Sequence, residues 1–134
     1  MLFTLLAPIT IAALAIFILG HLWYHPRVFG RAWMRLTNVT PEMAERGRAL
    51  SFFASSASLL GAFLIASTVR FLFAALGVES PYDALISAGA LWVGLCVPVL
   101  VGQTLWEGKP VTLLLINILY WLCALLLVGV LITL

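Results

Sequence analysis

The sequence predicts an all-α integral membrane protein, a four-transmembrane-helix bundle with a short amphipathic interfacial helix after the first span. Two observations carry this prediction. Of the 134 residues, 64% are hydrophobic and 9% are charged, whereas about 25% of the residues in an ordinary soluble domain are charged. The composition therefore excludes a soluble globular domain, a disordered chain and a nucleic-acid-binding protein. In addition, the hydrophobic residues form four long runs, separated by three polar stretches.

Each hydrophobic run has the length of a membrane-crossing helix, which needs about 20 residues. Strands of a transmembrane barrel are excluded, because they are about 10 residues long with alternating polarity. No basic residue precedes the first run and a basic segment follows it, so we expect a retained anchor rather than a cleaved signal peptide. We predict one domain over residues 1–134, with spans at about 2–24, 49–77, 84–106 and 111–134.

The positions of the positive charges predict the orientation of the chain. Five of the seven Lys and Arg residues lie in the first loop, between Arg27 and Arg48, and Lys109 lies in the third loop. Loops rich in Lys and Arg tend to remain in the cytoplasm. We therefore expect these two loops to be cytoplasmic and both termini to be extracytoplasmic.

The first loop contains the pattern of an amphipathic helix. Arg27, Arg31 and Arg35 recur every four residues and share one side of a helix, while Trp33 lies on the other side. Such a helix lies in the headgroup plane, where each basic side chain contributes about 1 kcal/mol of attraction to anionic lipids. These four residues form either an orientation signal with a Trp anchor or a specific lipid-headgroup site.

The second span combines a helix start with a stripe of small residues. Residues 40–42, Thr-Pro-Glu, are typical of a helix N-terminus, and we expect this helix to continue into the membrane without a break. Small side chains recur every four residues within the span and permit close approach of another helix, inside the bundle or between protomers. These are Ala54, Ser58, Ala62 and Ala66.

Polar side chains within the spans lie near the cytoplasmic ends of the helices. Because consecutive spans run antiparallel, these ends lie in the same leaflet. Polar groups in a membrane are costly unless they face protein or water. We therefore predict a cluster of polar side chains, covered in part by Tyr24 on its cytoplasmic side. The cluster either binds a ligand or fixes helix packing through interhelical hydrogen bonds. If the cluster is buried, we expect the Asn117 amide to bond to His21, Gln103 or Ser55. The predicted cluster comprises His21, His25, Ser55, Gln103, Glu107, Asn117 and Tyr120.

The two histidines raise the question of a metal site. His21 and His25 have the spacing that places two imidazoles on one helical face. Pro26, however, disfavours helical geometry at His25, and no further His, Cys or Asp accompanies the pair. We expect neither a metal site nor another cofactor.

Two features predict local helix geometry. Pro98 cannot donate a backbone hydrogen bond to the carbonyl of Gly94, which predicts a kink in the third span. Such a kink is either a packing bend or part of a solute site. Near the outer end of the second span, we expect Arg70 to pair with Asp83 as a structural clamp.

Three segments carry motifs in the order found in a known family. They are Trp23–Pro26 with Phe29–Met34, then Trp106–Pro110, then Leu115–Asn117 with Tyr120. In these motifs the chain resembles the small four-span bacterial proteins catalogued as domain of unknown function 1761. The resemblance implies a four-helix protein of the bacterial inner membrane and no established activity. The chain departs from the pattern at His25, where a small residue is expected, and at Gln103, where asparagine is expected.

The sequence lacks the residue patterns of an enzyme, such as a Ser/His/Asp set or paired carboxylates within the spans. All five acidic residues lie in loops or at span ends, which disfavours ion-coupled transport. We expect a structural or accessory subunit that binds membrane lipids and other membrane proteins or further copies of itself. The alternative is an uncoupled transporter or channel for small solutes or lipophilic ligands that uses the polar cluster.

Overall fold

The computed structural model describes residues 2–134, with side chains from Leu6 onward, and confirms the predicted four-span helical fold. The spans are long and apolar enough to cross a membrane. The third span consists of two α-helices joined by a π-helical turn at Trp92–Cys96. The α-helices are α1 (Leu2–Trp23), α2 (Gly30–Leu36), α3 (Pro41–Ala49), α4 (Ser51–Leu76), α5 (Pro81–Leu91), α6 (Val97–Trp106) and α7 (Val111–Thr133).

Helix α7 lies at the centre of the bundle. It packs along α1 on one side and along α5, the π turn and α6 on another, and it also contacts α4. Helix α4 packs mainly against α1. The bundle therefore has two ends, which we call the arginine-rich end, where residues 27–48 and Lys109 lie, and the opposite end, where residues 77–80 connect α4 to α5.

The buried core occupies the middle of the bundle and the half towards the opposite end. Its small side chains allow close approach of helix backbones, which is the usual way in which transmembrane helices associate. At the arginine-rich end α4 contributes little to this core, and Ser51–Ala54 are all exposed. The core residues are Ala12, Ala13, Ile16, Ala62, Ala66, Val69, Phe73, Ala84, Ala88, Ala124, Leu125, Val128 and Ile132.

The sequence predicts that the helix starting at residues 40–42 continues into the membrane without a break. This prediction is wrong, because the structure has two separate helices there. Thr40 does cap a helix start, since its hydroxyl accepts from the Met43 amide at 3.3 Å. That helix, α3, ends at Ala49, and Leu50 separates it from α4. The break coincides with the change from a charged sequence in α3 to an apolar one in α4, so each helix is matched to its own environment.

The third span begins at Pro81, three residues before the predicted boundary at Ala84. Ser80 caps it, because its hydroxyl accepts from the Asp83 amide at 3.1 Å, and Pro81 suits the first turn of a helix. Asp83 favours the same turn, where a carboxylate meets the positive end of the helix dipole. A polar cap thus extends the helix beyond the apolar run.

A π-helical turn, Trp92–Cys96, lies just before Pro98 in the third span and is separated from it by Val97. The Val97 amide donates to the carbonyl of Trp92, five residues earlier. Pro98 carries no amide hydrogen, so regular α-helical bonding to Gly94 is impossible there. The chain accommodates this loss with a wider turn, a form that the proline alone does not predict.

Candidate functional site

Aromatic side chains from three segments meet at the arginine-rich end. The ring centroid of Tyr24 lies 5.3 Å from that of Tyr120 and 5.9 Å from that of Trp33. Trp23 lies 4.8 Å from Phe29 and 6.1 Å from Tyr120. We call these five rings the aromatic cluster. It joins the end of α1, helix α2 and helix α7, so it fixes the first loop against the last span.

The hydrogen bond at the centre of this cluster joins Tyr24 to Asn117. The Tyr24 hydroxyl donates to Oδ1 of Asn117 at 3.0 Å, and both side chains are half-buried. Among the described residues Asn117 forms no hydrogen bond with its expected partners His21, Gln103 or Ser55, so that prediction is wrong. Tyr24 reaches Asn117 because it lies on the turn that follows α1, directly beside α7.

Two tryptophans donate to the backbone of α7 from neighbouring spans. Nε1 of Trp23 donates to the carbonyl of Ile116 at 3.2 Å, and Nε1 of Trp92 donates to the carbonyl of Ile118 at 2.9 Å. Sequence reasoning missed both contacts. The available signal was the position of Trp92 in the middle of a span, where an indole N–H needs a protein acceptor rather than the headgroup region.

Gly30 allows the turn between α1 and α2 to fold back on itself. Its amide donates to the carbonyl of His25 at 3.1 Å, and the Phe29 amide donates to the carbonyl of Trp23 at 3.1 Å. A Cβ atom on Gly30 would lie 2.8 Å from the carbonyl carbon of His25 and still closer to the carbonyl oxygen of Tyr24. Only glycine fits this position. The tight turn that it allows holds α2 close to the end of α1, so that Trp33 contacts Tyr24.

The predicted polar cluster is only partly assembled. Asn117 and Tyr120 lie in or beside the aromatic cluster, but the Nδ1 atoms of both histidines form local bonds. Nδ1 of His21 is 3.0 Å from the carbonyl of Phe17, and Nδ1 of His25 accepts from the Arg27 amide at 3.2 Å.

The other polar residues of the prediction lie apart from Asn117. Gln103 and Glu107 are exposed at the end of the third span. Glu107 pairs with Lys109, and hydrogen bonds from Lys109 and then from Gln103 hold the pKa of the Glu107 carboxyl below its usual value. Ser55 lies on the part of α4 that diverges from α7, and among the described residues it forms no hydrogen bond with Asn117. The prediction failed for these residues because equal depth in the membrane does not bring helix faces together.

A cavity of about 500 Å³ opens beside the aromatic cluster, between α1, α4 and α7. It exists because α4 is packed on α1 and α7 near the opposite end but diverges from α7 towards the arginine-rich end. Gly20 and Gly61 widen it, and Trp121 forms part of the wall. His21, Ser58 and Tyr120 supply polar groups to its lining.

Three of the five arginines of the first loop line one surface depression. Arg27, Arg31 and Arg35 are all exposed around it, and the latter two lie on α2. Trp33 does not line this depression, and the sequence likewise places it on the other side of the helix from the arginines. It is half-buried against Tyr24, because it lies on the opposite side of α2 from Arg31 and Arg35.

The predicted clamp between Arg70 and Asp83 is also wrong. Among the residues that the structure describes, Arg70 forms no ion pair. The Asp83 carboxylate accepts instead from the Ser80 hydroxyl at 2.7 Å. Asp83 belongs to the cap of α5, which packs on α7, whereas Arg70 lies on α4, which packs mainly on α1.

The hydrogen bond between Tyr24 and Asn117 is expected to stabilise the bundle measurably. A double-mutant cycle with Tyr24→Phe and Asn117→Leu should give a coupling of about 1 kcal/mol, within the range for interhelical hydrogen bonds in membranes. Unfolding in a mixed-micelle titration measures it. The cycle of Tyr82→Phe with Asn117→Leu is the control and should be additive, because Tyr82 is exposed at the opposite end. Additivity in the first cycle contradicts the contact.

The family of the chain follows from a match over almost its whole length. No curated protein and no solved structure matches it. A family model described as a protein of unknown function (DUF1761) matches residues 7–133. The residues that carry the resemblance noted above, including Trp23, Tyr24 and Asn117, meet in the fold. The chain therefore belongs to the DUF1761 family.

Proposed function

We propose that this protein is a structural or accessory subunit of the bacterial inner membrane, which acts by binding a helix of another membrane protein and surrounding lipid rather than by catalysis. The observation that carries the proposal is a helix-packing stripe on α4 that is only half occupied. Ala62 and Ala66 are buried against α1, whereas Ser58 and Ala54, one and two turns earlier on the same stripe, are exposed.

The continuity of this stripe argues for a helix as its occupant. Small residues every four positions allow two helix backbones to approach closely, and the same spacing already receives α1. Two bulky side chains flank the vacant part, Phe52 at 85% exposure and Phe53 at 74%. A transmembrane helix of a partner protein would extend the existing α1–α4 interface without any change in the bundle.

The polar residues of the bundle support a binding role. Asn117, Trp23 and Trp92 use their hydrogen bonds to hold helices together. Arg27, Arg31 and Arg35 remain exposed on one surface, where they attract anionic headgroups. Packing inside the bundle and lipid contact outside it thus account for these groups without a chemical step.

A photoreactive side chain tests the proposed helix contact. Placed at Ala54, on the vacant stripe, it is expected to yield the same discrete protein adduct in repeated preparations from native membranes. Ser56 is the matched control, since it is exposed at nearly the same depth but on the opposite face of α4, and it should label lipid. An adduct of twice the chain mass would identify a second copy as the occupant. Lipid labelling alone at both positions contradicts the proposal.

The orientation is also proposed, with the arginine-rich end in the cytoplasm and both termini outside. In a variant that lacks Cys96 and Cys123, Glu45→Cys is expected to react with a membrane-impermeant thiol reagent only after the cells are opened. Glu79→Cys, exposed at the opposite end, should react in intact cells. The reverse pattern contradicts the orientation.

The cavity favours a second candidate function, the uncoupled passage of a small neutral or lipophilic solute. It reaches about 500 Å³ and carries polar groups from His21, Ser58 and Tyr120. Flux of neutral solutes into proteoliposomes, lost in His21→Leu, would support this function. Equal flux in liposomes with and without the protein would remove it.

A further inference from the structure

Two cavities adjoin in the bundle and differ in chemistry. The cavity of about 500 Å³ lies towards the arginine-rich end, and a second one of about 290 Å³ lies in the middle of the membrane between α4, the π turn and α7. Ile65 and Trp121 line both of them, so the two are neighbours. The second cavity is lined mainly by aliphatic side chains, among them Leu72, Leu91 and Leu95. The first carries polar groups in a mainly apolar lining, and we call it the polar compartment; the second is apolar.

The polar compartment offers one hydrogen-bond donor without a protein partner. The Tyr120 hydroxyl lies over Gly20, 3.1 Å from the position that a Cβ atom would occupy there. Within the described part of the chain it has no hydrogen-bond partner, and it is not sealed from the cavity. A tyrosine hydroxyl in a membrane-embedded site is stabilised when it donates a hydrogen bond to an acceptor on a bound molecule.

The same compartment offers an acceptor at its mouth. Nδ1 of His21 faces the carbonyl of Phe17, and since a carbonyl only accepts, Nδ1 carries the hydrogen atom. In the neutral imidazole Nε2 is then an acceptor. The Ser58 hydroxyl donates to the carbonyl of Ala54 at 2.8 Å and retains acceptor capacity of its own.

The lining also defines what the compartment would exclude. It contains no Lys, Arg, Asp or Glu, so an ionic headgroup would enter without a counter-charge, which is costly in low dielectric. Arg27, Arg31 and Arg35 line a separate depression. The aromatic rings of Phe17, Tyr120 and Trp121 favour a flat, neutral group.

From this arrangement we propose that the paired cavities bind a lipophilic quinone or quinol, with the ring between α1, α4 and α7 and the hydrocarbon tail against α4 and the π turn. The Tyr120 hydroxyl donates to a ring oxygen of either form, a carbonyl in the quinone or a hydroxyl oxygen in the quinol. The donor that matches Nε2 of His21 is present only in the quinol, whose second hydroxyl donates to it. The inference goes beyond the accessory role. Ser58 belongs both to the stripe on α4 and to the lining of the larger cavity, whereas Ala54 lies outside both cavities.

Titration of the purified full chain in nanodiscs with a decyl-substituted benzoquinone tests the proposal, with tryptophan quenching as the readout. We expect saturable quenching in the wild type. Tyr120→Phe keeps the ring and removes one neutral hydrogen bond, so its dissociation constant should rise about tenfold. Gly61→Leu should abolish saturable quenching, because the new side chain enters the cavity from a position with open space around it.

Gly102→Leu is the matched control, since its Cβ position is equally open but lies outside both cavities, and it should bind as the wild type does. Non-saturable quenching, unchanged binding in Tyr120→Phe, or preferential displacement by phosphatidylglycerol would overturn the proposal. If Gly61→Leu fails to fold, the Tyr120→Phe result decides alone. Quinone binding and the photoreactive labelling at Ala54 are separate readouts, so one can fail without the other.

Discussion

Replacement of Gly30 by alanine is expected to destabilise the protein by about 3 kcal/mol, the upper part of the range for inserting a methyl group into a closely packed site. The new Cβ would lie 2.8 Å from the carbonyl carbon of His25. The obstructing atoms belong to the backbone of residues 24 and 25, so a change of side-chain rotamer brings no relief. The turn itself must open, although its amides donate to the carbonyls of Trp23 and His25.

Opening this turn has a second consequence, which distinguishes it from a general loss of stability. It moves α2 away from α1, so that Trp33 loses its contact with Tyr24 and the Tyr24 hydroxyl loses its position beside Asn117. In the Gly30→Ala background, the coupling between Tyr24→Phe and Asn117→Leu is therefore expected to disappear.

Gly47→Ala is the matched control for this prediction. Gly47 lies inside α3, and a Cβ atom there meets nothing within 4 Å. Alanine is favoured over glycine in a helix interior, so this variant should be as stable as the wild type or more stable by about 0.5–1 kcal/mol. Unfolding in mixed micelles compares the two variants. Equal stability of Gly30→Ala and Gly47→Ala would show that the tight turn is not formed.

Replacement of Gly129 by leucine is expected to separate the third span from α7. A Cβ atom on Gly129 would already lie 3.3 Å from both the Ala84 carbonyl oxygen and the Ala88 Cβ atom, and 3.5 Å from Phe73. The remaining three carbon atoms of leucine have no space between these helices. We expect a loss of about 3 kcal/mol or a displaced third span, since a backbone carbonyl forms part of the wall.

The displacement should be visible at a distance from the substitution. Trp92 donates to the Ile118 carbonyl at 2.9 Å, and a third span moved away from α7 breaks this bond and changes the tryptophan fluorescence. Gly89→Leu is the control, because a Cβ atom on Gly89 meets nothing within 4 Å. Unchanged stability and fluorescence in Gly129→Leu would contradict the close crossing of α5 and α7.

The residues of the candidate site illustrate how far sequence reasoning reached. Asn117 and Tyr120 were identified because polar groups within a span need a partner, and Tyr24 was placed nearby. Their pairing was not identified, since it depends on which face of α1 meets α7. The hydrogen bonds of Trp23 and Trp92 are not predictable from the sequence for a related reason. Their acceptors are backbone carbonyls, which every residue carries, so no particular residue type identifies the partner.

The errors at Ser55 and Arg70 have a common origin. Both predictions placed residues together because they lie at similar depth in the membrane. Helix α4, however, packs mainly on α1, and it leaves α7 towards the arginine-rich end. Depth follows from counting residues along a helix, whereas contact also requires the right helix order and tilt.

The sequence by itself determined that the chain crosses the membrane with four helices and where each of them runs, to within a few residues. This is possible because an apolar run crosses the hydrocarbon layer when it is long enough, and its length depends only on the residues of that run. Only the tertiary structure decided the π turn before Pro98, the pairing of Tyr24 with Asn117 and the two adjoining cavities. These features depend on how closely helices approach at contacts such as Gly129 with Ala84, where the fit of two distant surfaces sets the tilt of each helix.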